Sequence, residues 1–342
     1  MTAHHRILRV GTRVSLRVHV RTLVVITCLV VAIIGLAVVT LALGDLGVSP
    51  LQLPAALFGD TGASSFVVQT LRGPRLLVAI GAGAAFGVSG SLFQRVTRNP
   101  LGSPDVIGLM AGASAGAVAF GILWPGVVPL PVGAVIGAIA AIALVYVSTG
   151  TGFASPGKLI IAGIGVQAIA LSFVQFMLTR IKREQATVLA TWLNGSLEAR
   201  SLDDVGIILV VLGVFGTVAL VLSRRLALVE MGDDIADGVG ASASRTRTFA
   251  VLTAIVLAAG GVAVCGPVAF IALMAPHVAR VVARSSSPVV AGLMGAMMLL
   301  FADVIVQFVP APQQLPVGVV TALIGGIFLG GLLMSQWRKG AL

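Results

Sequence analysis

Residues 71–93 read LRGPRLLVAIGAGAAFGVSGSLF. Two arginines, Arg72 and Arg75, flank Gly73-Pro74 at the head of the stretch, and no charge follows until Arg95. An uncharged run of about 20 residues, rising about 1.5 Å each as a helix, covers a hydrocarbon core about 30 Å thick. Pro74 suits the first helical turn, where its missing N–H is not needed. The run therefore reads as a membrane-spanning helix with an arginine pair at its start.

The pattern recurs along the chain. Comparable apolar runs occupy 22–43, 71–93, 105–123, 129–149, 159–178, 204–223, 248–265, 267–283, 289–308 and 316–335. The run at 267–283 is the shortest and is interrupted by Pro267 and Pro276. The expectation is an all-α polytopic membrane protein with about ten transmembrane helices: a basic arm over 1–21, then a ten-helix unit over 22–342.

Composition agrees. Hydrophobic residues make up 58% of the 342, charged residues 10%, and the mean hydropathy is +1.08. A soluble domain carries roughly a quarter of its residues as charges. The net charge of +10 is dispersed through short loops, which excludes a nucleic-acid footprint. Cys28 and Cys265 lie inside apolar runs and read as small core residues. The apolar run 22–43 is longer than a signal-peptide core and lacks a small-x-small cleavage site after it, so it reads as a retained first span. Arg9, Arg13, Arg17 and Arg21 recur every fourth residue before it. They read either as one helical stripe on anionic lipid or as an ordinary positive-inside anchor.

Lysines and arginines set the orientation. Alternating spans place 16 of the 22 on the side of the N-terminus. The other side holds Arg72, Arg75, Arg180, Lys182, Arg183 and Arg200. Both termini are thus expected in the cytoplasm. Glycines at four-residue spacing (Gly83 and Gly87; Gly108, Gly112 and Gly116; Gly133 and Gly137; Gly326 and Gly330) predict close helix packing, since small residues let backbones approach in lipid.

Several motifs bear on function. GFASPGKL, 152–159, begins like a phosphate-binding loop, but Leu159 stands where a Ser or Thr would hold magnesium. It reads as a loop with Lys158 as an anchor, and no nucleotide or other cofactor is expected on this chain. The polar stretch 224–247 is too polar to span; it predicts two short helices and a turn that expose Glu230, Asp233, Asp234 and Asp237. Either a solvated loop or a docking surface fits it. Arg72 and Arg75, three apart, are expected on one face. They either snorkel toward lipid phosphates or form a socket for carboxylates. Asp303 lies near the outer end of its span, where helix capping or pairing with an outer arginine is the expected role. His277 lies near an inner end beside Pro276. Gln167, Ser172 and Gln175 on one span could line a polar pathway or bond between helices. An ion-coupled secondary transporter would need midplane titratable groups, which are scarce here. No paired carboxylates, metal-spaced histidines or activated nucleophile point to an enzyme.

At this point the chain resembles a family: permeases of type II ATP-binding-cassette importers for iron-siderophores, haem and vitamin B12, the FecCD family. The resemblance rests on LRGPR (71–75), RNPLGSPDVIG (98–108), WLNGSL (192–197), LVEMGDDIADGVG (228–240), GPVAFIALMAPHVAR (266–280) and QLPVGVVTALIGGIFL (314–329). NPLGSPDV, EMGDD and FIALMAPHVAR look most like ferric-enterobactin permease subunits. The resemblance implies ten spans, a path at a two-subunit interface, and passage of a ferric siderophore across the cytoplasmic membrane of a bacterium. It implies as partners a second permease subunit, two ATPase subunits that carry ATP and magnesium, and an extracytoplasmic substrate-binding protein. It assigns Glu230, Met231, Gly232, Asp233, Asp234, Ala236, Asp237 and Gly240 to coupling with the ATPase. It assigns Arg72 and Arg75 to glutamates of the binding protein. A third outer arginine of some members is replaced here by Gln307.

Overall fold

The computed structural model describes residues 5–10, 14–43, 47–59, 62–150, 153, 155–308 and 315–338. Strands β1 (His5–Val10) and β2 (Val14–His19) pair antiparallel ahead of the helices. The helices are α1 (Val20–Ala42), α2 (Leu53–Phe58), α3 (Ala63–Phe66), α4 (Gly73–Thr97), α5 (Leu109–Leu123), α6 (Leu130–Thr149), α7 (Pro156–Leu178), α8 (Arg183–Leu193), α9 (Leu202–Met231), α10 (Asp233–Gly238), α11 (Ala243–Cys265), α12 (Ile271–Ala283), α13 (Pro288–Phe308) and α14 (Val317–Arg338). Each of the ten apolar runs holds one helix.

The helical stripe expected in the arm is not formed. Arg9 and Arg17 lie in the paired strands, where alternation replaces the helical period; Arg13 and Lys339 lie outside the described residues. The short sixth-to-eighth region also differs from expectation. α9 continues two turns past the apolar run, so only one short helix, α10, stands alone, and the second is the first turn of α11.

Among the described residues, eight helices are long and apolar enough to cross a membrane; α5 and α12 are shorter. Each is extended by irregular backbone that the protein itself covers. A 3-10 turn, Pro104–Ile107, leads into α5, capped by Ser103. Before α12, Gly266, Pro267 and Val268 are buried. Non-helical backbone at membrane depth is tolerated where protein surrounds it. α12 starts at Ile271, after Phe270 in the left-handed region, and continues through Pro276.

α4 is the axis. Most of its residues are buried, and it packs on α13, α11, α9 and α12. The glycine series explains how. A methyl at Gly83 would strike the Gly295 carbonyl, one at Gly87 the Ala291 carbonyl, and one at Gly90 the Ala272 carbonyl. Gly112 and Gly116 on α5 meet Gly137 and Gly133 on α6 in the same way. In lipid such backbone approach is what holds helices together, because apolar side chains gain little over acyl chains. Gly326 and Gly330 depart from the expectation: nothing lies within 4 Å of either position, so their face of α14 is open.

Helix ends define two poles. Arg72 reaches the last carbonyls of α1, and Arg21 at its start reaches Val282 at the end of α12. α4 therefore runs from an Arg75 pole to an Arg95 pole. α1 starts and α14 ends at the Arg95 pole, so both terminal helices open on the same side of the bundle.

Candidate functional site

At the Arg75 pole the helix is locally underwound into a π turn, Val67–Arg72, which joins α3 to α4. Such turns are rare and recur at functional sites. Arg72 closes the turn, and Arg75 lies in the first turn of α4. Arg72 Nη1 donates to the carbonyls of Thr40, at 2.8 Å, and Leu43, at 2.5 Å, satisfying the frayed end of α1. Arg75 reaches α13. Its Nη2 and Nε donate to Asp303 Oδ1 at 2.7 and 3.0 Å. The interval from Arg72 to Arg75 is ordinary helix, and the two arginines serve different neighbours, Arg72 the end of α1 and Arg75 the side of α13.

Asp303 is fully buried, whereas Arg75 keeps 16% of its side-chain surface. Gln307, one turn on, donates to Asp303 Oδ2 at 2.6 Å. A carboxylate taken out of water needs this full set of donors. The expectation that Asp303 pairs with an outer arginine is met. Gln307, read as a missing third arginine, supports the same carboxylate.

The Arg95 pole gathers a second set of charges. Arg95 Nε donates to Glu230 Oε1 at 2.7 Å, and its Nη2 donates to the Ser223 carbonyl at 3.0 Å. Arg98, the left-handed cap of α4, donates to Asp233 Oδ1 at 3.0 Å and to the Val229 carbonyl at 2.6 Å. Arg247 of α11 donates to Asp233 Oδ2 at 2.7 Å. Asp237 Oδ1 accepts from the Ala243 amide at 2.8 Å and so caps α11. The Arg247 hydrogen bond, then the charges of Arg247 and Arg98, hold the Asp233 carboxyl below its usual range.

The four acids lie at the surface, as expected, with Asp233 half-buried. Three of them also hold partners within the chain: Glu230 and Asp233 meet arginines, and Asp237 meets a backbone amide. Asp234 is exposed, with Met231, Ile235 and Val239 beside it, while Ala236 is buried. Gly232 at φ 136° and Gly240 at φ 78° supply the bends before and after α10. The surface that segment 224–247 offers outward mixes these apolar side chains with Glu230, Asp234 and Asp237.

The FecCD transport family matches residues 27–335. The chain belongs to that family. Among its relatives, the ferric enterobactin transport system permease FepG of Escherichia coli is 39% identical over 94% of this chain and 99% of its own length. The Fe(3+) dicitrate permease FecD of Escherichia coli is 35% identical over 90% and 98%. The Fe(3+)-citrate permease YfmE of Bacillus subtilis is 33% identical over 93% and 97%. A solved metal-chelate-type ABC transporter in an inward-facing conformation shares the fold, with a TM-score of 0.79, 23% identity, and coverage of 92% and 99%.

In this FecCD chain the three pathway residues on α7 do not converge. Ser172 and Gln175 are exposed on the outside of the single subunit, and Gln167 is half-buried. At 100° per residue Gln167 points about 140° away from Ser172. Lys158 is exposed in the first turn of α7, as an anchor would be. His277 packs edge-on against Phe328, with ring centroids 5.5 Å apart. The residues missed from sequence are Arg95, Arg98, Arg247, Gln94 and Arg280, which build the Arg95 pole. Arg95 and Arg98 lie three apart at the end of a span, a signal shared by any anchoring pair.

Proposed function

We infer that this chain is the transmembrane subunit of an ATP-driven importer that moves a ferric siderophore of the catecholate class across the cytoplasmic membrane of a bacterium. The observation that carries this reading is the 39% identity, along nearly the whole of both chains, to the ferric enterobactin permease. The Arg95 pole is cytoplasmic and the Arg75 pole faces out. Two ATPase subunits, which hold ATP and magnesium, sit beneath α10; a second permease subunit completes the path; a substrate-binding protein delivers cargo to the Arg75 pole.

The geometry supports a mechanical role for the Arg95 pole. α10 is tied to α4 through Arg98–Asp233 and to α11 through Arg247–Asp233. A displacement of α10 therefore moves the ends of both helices together, as rigid elements do in alternating access. Met231, Ile235, Val239 and Asp234 form the surface on which the ATPase pushes. Ser172 and Gln175, outside the single subunit, fall on the side where the second subunit encloses the path.

The test is uptake into proteoliposomes that contain this chain, its second permease subunit, the ATPase and the binding protein. Ferric enterobactin should accumulate with ATP and no ion gradient. Accumulation driven by an ion gradient without ATP would replace this reading with a secondary transporter. ATP-driven uptake of haem or cobalamin, with ferric enterobactin excluded, would reassign the cargo.

A further inference from the structure

The Arg95 pole holds a charge imbalance that the coupling contacts do not absorb. Arg95 is paired with Glu230 there, and Arg98 and Arg247 share Asp233. Arg280 carries the surplus. Its Nη2 donates to the neutral Gln94 Oε1 at 2.7 Å, and the Gln94 amide is itself held by the Leu273 carbonyl at 3.0 Å. The Arg280 Nε–H is buried without a hydrogen-bond partner among the described residues. Native structures seldom leave a buried charged donor unpaired.

The same residues line a cavity of about 320 Å³, walled by Arg95, Arg98, Arg280, Asn99, Glu230 and Ser286. Three guanidinium groups and one carboxylate leave its wall net positive. Asn99 and Ser286 add neutral donors at its rim. We propose that this cavity is a binding site for a phosphate group, held chiefly by Arg280. The arginine fork matches phosphate oxygens bidentately, and a phosphate anion offsets the net positive charge of the wall. The phosphate comes either from the aqueous phase or from the headgroup of an anionic phospholipid. The site does not depend on which cargo the chain carries.

The experiment uses the full chain. In neutral detergent, inorganic phosphate is titrated against chloride at equal ionic strength, with the thermal midpoint as readout. In nanodiscs of phosphatidylcholine alone, or with phosphatidylglycerol added, lipid retained by the protein is measured by native mass spectrometry. Saturable stabilisation by phosphate assigns a free anion, and selective retention of phosphatidylglycerol assigns a lipid headgroup. In either arm Arg280→Gln should bind about tenfold more weakly, the loss of a charge-assisted pair of bonds. Ser286→Ala, on an exposed loop, should bind a few-fold more weakly and guards against misfolding of the first variant. If wild-type protein shows neither effect, the site is refuted. The surplus charge then belongs to the C-terminal dipoles of α4, α9 and α12, which end at the same pole. Equal binding by the wild type and both variants would also overturn the assignment.

Discussion

Arg75 and Asp303 stand 228 residues apart in sequence and join α4 to α13 through a two-nitrogen clamp, the shorter bond being 2.7 Å. The carboxylate is fully buried and the guanidinium nearly so. Breaking such a pair from one side leaves an uncompensated charge. Asp303→Asn should destabilise the chain by about 3 kcal/mol, the lower part of the range for buried pairs because Arg75 keeps some contact with water. The double variant Arg75→Gln/Asp303→Asn should lose less than Asp303→Asn alone. Denaturation midpoints in mild detergent measure both, and strictly additive losses would show that the two side chains are not coupled.

The same pair separates docking from packing. Arg75→Gln removes the charge that the binding protein is proposed to meet, whereas Asp303→Asn leaves it in place. Titration of binding protein onto the nanodisc-embedded transporter should show about tenfold weaker docking for Arg75→Gln, the scale of one charge-assisted contact. Asp303→Asn should dock at least as well as the wild type. If both variants dock equally poorly, Arg75 serves only the α4–α13 tie.

Glycine positions give a contrast within one residue type. At Gly90 the added methyl meets the Ala272 backbone, which cannot rotate away. Gly90→Ala should cost about 1–3 kcal/mol, as overpacking does. Gly326→Ala projects into open space on α14 and should change the stability of the isolated chain by less than about 0.5 kcal/mol. Unfolding of the two purified variants side by side tests the pairing; a similar loss at both positions would contradict the packing described for α4.

Span positions were legible because each needs only a long apolar run, and a run of that length is a local property. Glycine spacing announced packing, yet it could not distinguish Gly87, pressed on Ala291, from Gly326, which faces nothing; the partner helix decides that. Asp303 was legible as the partner of an outer arginine, since a buried carboxylate requires a cation. That Arg72 serves the end of α1 was not, because its partners are backbone carbonyls, which leave no mark in composition. The exposure of the acids of 224–247 was legible from their charge. Their partners were not, because Arg95, Arg98 and Arg247 come from helices 135 residues earlier and 14 residues later than the acids they meet.

Asp233 is clamped by two arginines and its neighbour Asp234 is exposed, so their variants should behave differently. Asp234→Lys alters an exposed position beside Met231 and Ile235. It should leave hydrogen exchange in α10 unchanged while uncoupling ATP hydrolysis from transport. Asp233→Lys sets a cation between Arg98 and Arg247. It should release α10 from both helices, raise exchange over 224–247, and uncouple as well. Acid should mimic the second variant. Arg247 and Arg98 lower the folded-state pKa of Asp233. The clamp's stabilisation is therefore complete above the unfolded value of about 3.9 and disappears as pH falls through the lower folded value. Exchange in α10 should stay flat from neutral pH to about pH 4 and rise below it, after correction for the intrinsic pH dependence of exchange. Asp233→Asn should abolish that acid step. A step that persists in Asp233→Asn, or one centred well above pH 4, would assign the acid sensitivity of this segment to another group.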